Sequence, residues 1–138
     1  MAIRQLSVFA ENKNGSLYEI TKVLADEDIN IRAFSVADTK NFGVLRLIVD
    51  DPTKAAHALS LAGKVVNVTE VVGVQIPDDK GGLSSLLCFL TKNNIGIEYL
   101  YAFTSVDDLG KAHVVIRVED NIATEKLLRE SGYSLLGL

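Results

Sequence analysis

Two short stretches hold the residue types whose spacing could do chemistry: "AENKNGSL", Ala10 to Leu17, and "IPDDKGGL", Ile76 to Leu83. Each places polar side chains immediately before glycine, Asn12 and Asn14 before Gly15 in one, Asp78 and Asp79 before Gly81 and Gly82 in the other. Glycine lets the backbone turn sharply or come close to a ligand. If a helix begins after it, the first N–H groups have no intrahelical acceptor and attract a carboxylate. The Asn and Asp oxygens could accept from an ammonium. An amino acid carries both groups a short fixed distance apart. A plain helix-capping turn asks for the same residues, so the turns alone leave both readings open.

Other reactive constellations are missing from the sequence. His57 and His113 fall in different segments, and HExxH, GxSxG and P-loop patterns are absent. "GGLSS", Gly81 to Ser85, has the glycines of a phosphate cradle without the Gly-Lys-Ser/Thr that follows in a nucleotide site. The acidic pairs Asp50/Asp51, Asp78/Asp79, Asp107/Asp108 and Glu119/Asp120 read as caps and solvated turns, so no metal is expected. The single cysteine, Cys88, excludes an internal disulfide and reads as a filler at the edge of a core or interface. A net charge of −4 with scattered Lys and Arg argues against a phosphate-gripping nucleic-acid surface. The apolar runs reach five residues where a membrane span needs about 20. The N-terminus carries no signal-like segment, which predicts a soluble, cytoplasmic protein.

What positions the two turns is a repeat. An offset of 66 pairs Leu6, Val8 and Ala10 with Val72, Val74 and Ile76, Gly15 with Gly81, Leu17 with Leu83, and Ile31 with Ile97. Beyond a three-residue slip, an offset of 69 pairs Val49 with Val118, Asp51 with Asp120 and Gly63 with Gly132. Insertions belong in turns, so the slip between Asp38 and Val44 marks a hairpin.

Each copy reads as β-α-β-β-α-β. "IRQLSVFA" alternates like a strand. "SLYEITKVLADE" puts Leu17, Ile20, Val23 and Leu24 on one helical face, with Ser16 or Asn14 as cap. "NIRAFSVAD" and "VLRLIVDD" are strands, and "DPTKAAHALSLAG" is a helix capped by Asp51, opened by Pro52 and ended by Gly63. "VVNVTEVVGVQI" is a long strand segment shared by both copies. The expected fold is α+β: ferredoxin-like βαββαβ, two tandem copies over residues 1–69 and 70–138, each with an antiparallel four-stranded sheet and helices on one face.

At these residues the chain resembles the ACT domain, a family of amino-acid-sensing regulatory modules. The likeness rests on the element order, Gly15-Ser16-Leu17 after the first strand and "DINI" (Asp28 to Ile31) after the first helix, with Gly81-Gly82-Leu83 and "NIGI" (Asn94 to Ile97) in the second copy. The resemblance implies ligand sites where the strand–helix loop of one domain meets the second strand of its partner. Asn12, Asn14, Gly15, Ser16 and Leu17 would form one site, and Asp78, Asp79, Gly81, Gly82 and Leu83 the other. Asn30 and Ile31, with Gly96 and Ile97, would begin the facing strands. Many members carry Asp-x-x-Gly with proline before the glycine. The second copy keeps the aspartate as Asp78, the first has Asn12, and neither has the proline, so the sites are expected to be unequal.

The expected function is a free-standing amino-acid-binding regulator: no enzyme, no cofactor, and 138 residues that leave no room for a catalytic domain. Expected partners are a small-molecule amino acid, a second copy of the chain in a homodimer, and a metabolic enzyme or transporter regulated in trans. Edge strands such as Val44 to Asp50, or the C-terminal "YSLLGL", would pair between chains. The alternatives are a ligand-free docking subunit and a small ferredoxin-like enzyme. An acylphosphatase-like site would need an Arg and Asn around a phosphate loop, where only Lys13 and Lys80 are basic, and an RNA-recognition surface would need more than Phe9.

Overall fold

The computed structural model describes residues 3–38, 42–105 and 109–136. The chain runs β1 (Ile3–Glu11), α1 (Ser16–Asp26), β2 (Ile31–Asp38), β3 (Phe42–Val49), α2 (Pro52–Leu61), β4 (Val66–Pro77), α3 (Gly82–Lys92), β5 (Ile97–Phe103), β6 (Lys111–Val118), α4 (Asn121–Glu130) and β7 (Ser134–Leu135). This is an α+β fold of repeated β-α-β elements. Two compact units divide it, one of Arg4–Thr69 and one of Glu70–Leu138 with Met1–Ile3.

In the first unit, β3 is antiparallel to β1 (Leu6 opposite Leu47) and to β2 (Val36 opposite Leu45). Period-two alternation sends Leu6, Val8 and Ala10 to one face, where they meet Leu45, Leu47 and Val49. The apolar stripes of both helices, Ile20 and Leu24 from α1 and Ala55 and Leu59 from α2, close the same cluster. The second unit repeats the plan. Antiparallel β6 lies between β4 and β5, and β7 pairs with β4 at Val74 and Gln75. Val72, Val74 and Ile76 pack with Val114, Ile116, Val118, Leu86, Leu90 and Leu128.

Part of the pleat pointing away from the helices is also out of water. Gln5, Ile48, Val71 and Val115 are all fully buried there. Fully buried strands read as apolar runs rather than alternations, as "LRLIV" and "HVVIRV" do.

Several expectations need correcting. Two separate four-stranded sheets are not what forms: β4 is one continuous strand whose residues divide between the units, and the hydrogen-bonded order is β2-β3-β1-β4-β6-β5. Val44 to Asp50 is no edge, because β3 has a neighbour on both sides; the ends of that order are β2 and β5. Of the C-terminal "YSLLGL", Ser134 and Leu135 already pair with β4, while 137 and 138 lie outside the described residues. Asp107 and Asp108, and part of the β2–β3 hairpin, lie outside them too. Cys88 is exposed on α3 rather than tucked at a core edge. Among described residues, no helix is long and apolar enough to cross a membrane.

Helix ends follow two chemistries. The second helix of each copy is capped by a side chain: Asp51 accepts from the Lys54 N–H at 3.1 Å, with Pro52 at the first position, and Asp120 accepts from the Ala123 N–H at 3.0 Å. The first helix of each copy has a left-handed glycine instead, Gly15 (φ 89°) or Gly81 (φ 85°), and no side-chain cap. Neither Ser16 nor Asn14 caps α1. The left-handed turn places Ser16 inside the helix, where its side chain points inward and is buried.

Candidate functional site

The strand–helix turns are built alike. Ser16 N–H donates to Lys13 O and Glu19 N–H to Gly15 O; in the second copy Gly82 N–H donates to Asp79 O and Ser85 N–H to Gly81 O. The N–H groups of Leu17 and Tyr18, and of Leu83 and Ser84, lie in first helical turns that no side chain caps. Leu17 and Leu83 lie at these ends with 43% and 42% of their surface exposed, off the helix core stripe. Each turn therefore offers bare backbone donors beside an apolar side chain.

Around the first turn, Asn12, Ser16, Leu17, Val36, Asp38 and Leu45 line a cleft of about 240 Å³. Asn12 donates from its side-chain amide to Asp38 Oδ1 at a long 3.4 Å. Asp78 spends its backbone N–H on Gly110 O (2.9 Å). The structure thus keeps Asn12, Asn14, Gly15, Ser16 and Leu17 together, and likewise Asp78, Asp79, Gly81, Gly82 and Leu83.

It does not bring the second-strand residues to those turns. Glu11, at the end of β1, is opposite Phe42, whereas Ile31, at the start of β2, is opposite Val49 at the far end of β3. The same holds in the second copy, where Pro77 is opposite Lys111 and Ile97 opposite Val118. Within one copy the two halves of the expected site lie at opposite ends of the sheet, because a β-α-β crossover returns β2 parallel to β1. Asn30 is committed locally: its N–H donates to Asp50 Oδ1 at 3.1 Å and its carbonyl accepts from the Asp50 N–H. Gly96 and Ile97 line a separate cavity of about 470 Å³ with Glu98, Asp120 and Thr124.

The "DINI" and "NIGI" motifs have a structural reason. Asp28 (φ 57°) and Asn94 (φ 58°) are left-handed just past the helices, a conformation their short polar side chains tolerate. The next N–H reaches back, Ile29 to Leu24 O and Ile95 to Leu90 O.

One feature escaped the sequence reading. On the other flank of α1, Phe9, Ser16, Glu19, Phe42, Lys64 and Val65 line a cleft of about 370 Å³. Phe9 and Phe42 meet edge-to-face at 6.1 Å, both about half exposed. Lys64 Nζ pairs with Glu19 Oε2 at 2.9 Å. That hydrogen bond, then the Lys64 charge, holds the Glu19 carboxyl below its ordinary range. Ser16 Oγ is buried with no hydrogen-bond partner among the described residues, on the wall that both clefts share. The only sequence signal was an exposed aromatic in a strand, and Phe9 and Phe42 are 33 positions apart.

The histidines hold no joint site. His57 is exposed on α2, while His113 is buried against Phe103 with ring centroids 4.9 Å apart.

A family model described as an ACT domain pair matches residues 1–132. The chain belongs to the ACT domain pair family. Protein BT0572 from Bacteroides thetaiotaomicron is 43% identical, with a TM-score of 0.91 over 99% of this chain and 92% of that one. The ligand-free regulatory subunit of aspartate kinase from Thermus thermophilus shares the fold at 16% identity, with a TM-score of 0.69 over 94% and 92% of the two chains. The aspartokinase α and β subunit structure is alike in fold at 17% identity, TM-score 0.62, over 92% and 91%. No curated protein matches the chain. As an ACT domain pair, this chain carries the strand–helix turn twice, with αL glycines at Gly15 and Gly81.

Proposed function

We propose that this ACT domain pair is an amino-acid-binding regulatory protein without catalytic activity of its own. Its domains are residues 1–69 and 70–138, and its ligands sit at the two strand–helix turns. The observation that supports this most is the pair of uncapped helix starts behind left-handed Gly15 and Gly81, each beside an exposed leucine. Bare N–H groups at a helix start attract a carboxylate. Asn12 and Asn14, or Asp78 and Asp79, supply oxygens for an ammonium, and Leu17 or Leu83 touches the side chain. Asn30 and Ile31, or Gly96 and Ile97, complete a site only from a partner domain, since within their own copy they lie at the far end of the sheet.

The output is regulation in trans of an enzyme or transporter by a dimer of the chain in the cytoplasm. The fold neighbour from Thermus thermophilus bears the name of a regulatory subunit, which agrees with this reading. The test is thermal stability against each common amino acid at millimolar concentration. A ligand at about 100 times its dissociation constant adds roughly 2.7 kcal/mol and raises the midpoint by several degrees. Gly15→Val and Gly81→Val should each remove part of the shift. If no amino acid moves the midpoint, the proposal fails.

A further inference from the structure

The cleft beside Phe9 and Phe42 lies on the flank of α1 away from β2; it shares Ser16 with the first turn site but has its own apolar wall and ion pair. We infer that it binds a small aromatic zwitterion, an α-amino acid with a ring side chain, in the first copy only. Four observations converge. Its volume, about 370 Å³, is in the range of small-molecule pockets, about 300–1,000 Å³. Its apolar wall is two phenylalanines already edge-to-face at 6.1 Å, exposed at 40% and 45%, and a third ring can continue that arrangement.

Its polar wall is charge-balanced. Lys64 pairs with Glu19 at 2.9 Å and Lys13 with Glu11 at 3.4 Å. A ligand with net charge would leave one of these groups in excess, whereas a zwitterion inserts at the Lys64–Glu19 pair with its carboxylate on Lys64 and its ammonium on Glu19. Finally, Ser16 Oγ, on the wall of the same cleft, is buried without a partner among the described residues, and the residue is only 6% exposed. A buried hydroxyl with an unmade bond is costly, and a small rotation toward the ligand carboxylate satisfies it.

The second copy cannot do this. At the positions of Phe9, Ser16, Glu19, Phe42 and Lys64 it has Gln75, Gly82, Ser85, Lys111 and Tyr133. Both rings, the hydroxyl and the ion pair are gone, and Tyr133 packs on Phe89 at 5.6 Å.

The chain contains no tryptophan, so the fluorescence of added L-tryptophan reports binding directly. Titrating the full chain into L-tryptophan and following anisotropy should give saturable binding. Lys64→Met and Glu19→Gln should each weaken it about tenfold or more, a factor set by about 1.4 kcal/mol. Phe42→Leu, a change at a half-exposed position that keeps the fold, should weaken it as well. Ser85→Ala, in the second copy, should leave it unchanged. Tryptamine and indole-3-propionate, each lacking one charge, should bind at least about tenfold more weakly. The inference is overturned if L-tryptophan does not bind, if it binds with the three cleft variants intact in affinity, or if indole-3-propionate binds as well. The turn-site proposal is separable: a thermal shift that survives Lys64→Met and disappears in Gly15→Val belongs to the turn.

Discussion

The two strand–helix turns have the same length and the same left-handed glycine, yet the residue that follows differs, Ser16 in one and Gly82 in the other. At Gly82 a Cβ would stand 2.5 Å from the Pro77 carbonyl oxygen, so the chain there is too tight for any side chain. At the first turn the same position accepts Ser16 and buries its hydroxyl without a partner. A parallel difference follows downstream: Lys64 reaches across to Glu19, while its counterpart Tyr133 packs on Phe89. The second copy lacks the ion pair and the buried hydroxyl at this point; the first keeps a cleft with opposite charges and an unused hydrogen-bonding group. A repeat can therefore preserve its backbone plan while only one member keeps the means to bind something.

The comparison can be broken most severely in the cores, which ought to be equivalent. Leu24 and Leu90 occupy the same helical position and both are fully buried. Leu24→Ala and Leu90→Ala should each destabilise by about 3 kcal/mol, read by urea unfolding. A large inequality would mean that the copies are not energetic equals.

The turns come next. Gly82→Ser should cost about 2 kcal/mol through overpacking against the Pro77 carbonyl. Ser16→Ala should do the reverse, leaving stability unchanged or raising it by up to about 1 kcal/mol, because it removes an unpaired buried hydroxyl. Equal losses from both substitutions would sink the claimed asymmetry. The caps, by contrast, are symmetric: Asp51→Ala and Asp120→Ala should each lose about 1 kcal/mol in thermal unfolding.

The smallest effect is electrostatic. Glu19 is held below its ordinary value of 4.5 by its hydrogen bond to Lys64. A lowered carboxyl pKa stabilises the fold above the unfolded value, and the benefit disappears as pH falls through the folded value. The stability gap between the native chain and Lys64→Met should therefore close as the solution is acidified below the glutamate range, and widen again toward neutrality. Lys22 runs in the opposite sense: Asp26 raises its pKa from 10.5, so its contribution is complete at neutral pH and is lost only as pH rises through the folded value. Both groups are exposed, so these are slight effects that salt should erase.

Much of the fold was legible because it depends on short-range patterns. Alternation fixed which side of β1 carries Leu6, Val8 and Ala10, and the stripe of Ile20 and Leu24 fixed the buried face of α1. Asp51, Pro52 and Gly63 announced a helix whose ends involve only neighbouring residues. Leu17 was misjudged for a physical reason: it falls near the right helical angle but in the first turn, beyond the reach of the core, and stays exposed. Ser16 was misjudged as a cap because αL backbone at Gly15 cannot be read from residue type.

By itself the sequence determined a doubled β-α-β-β-α-β chain, its helix-facing apolar sets and the two glycine turns, since each follows from periodicities and caps spanning a few residues. Only the tertiary structure decided that β3 is interior, that Asn30 and Ile31 lie far from the turn of their own copy, and that Phe9, Phe42, Glu19 and Lys64 share one cleft. Those facts depend on strand order and on contacts between residues tens of positions apart. No local pattern encodes them, because they arise only when the crossover connections fold the strands into register.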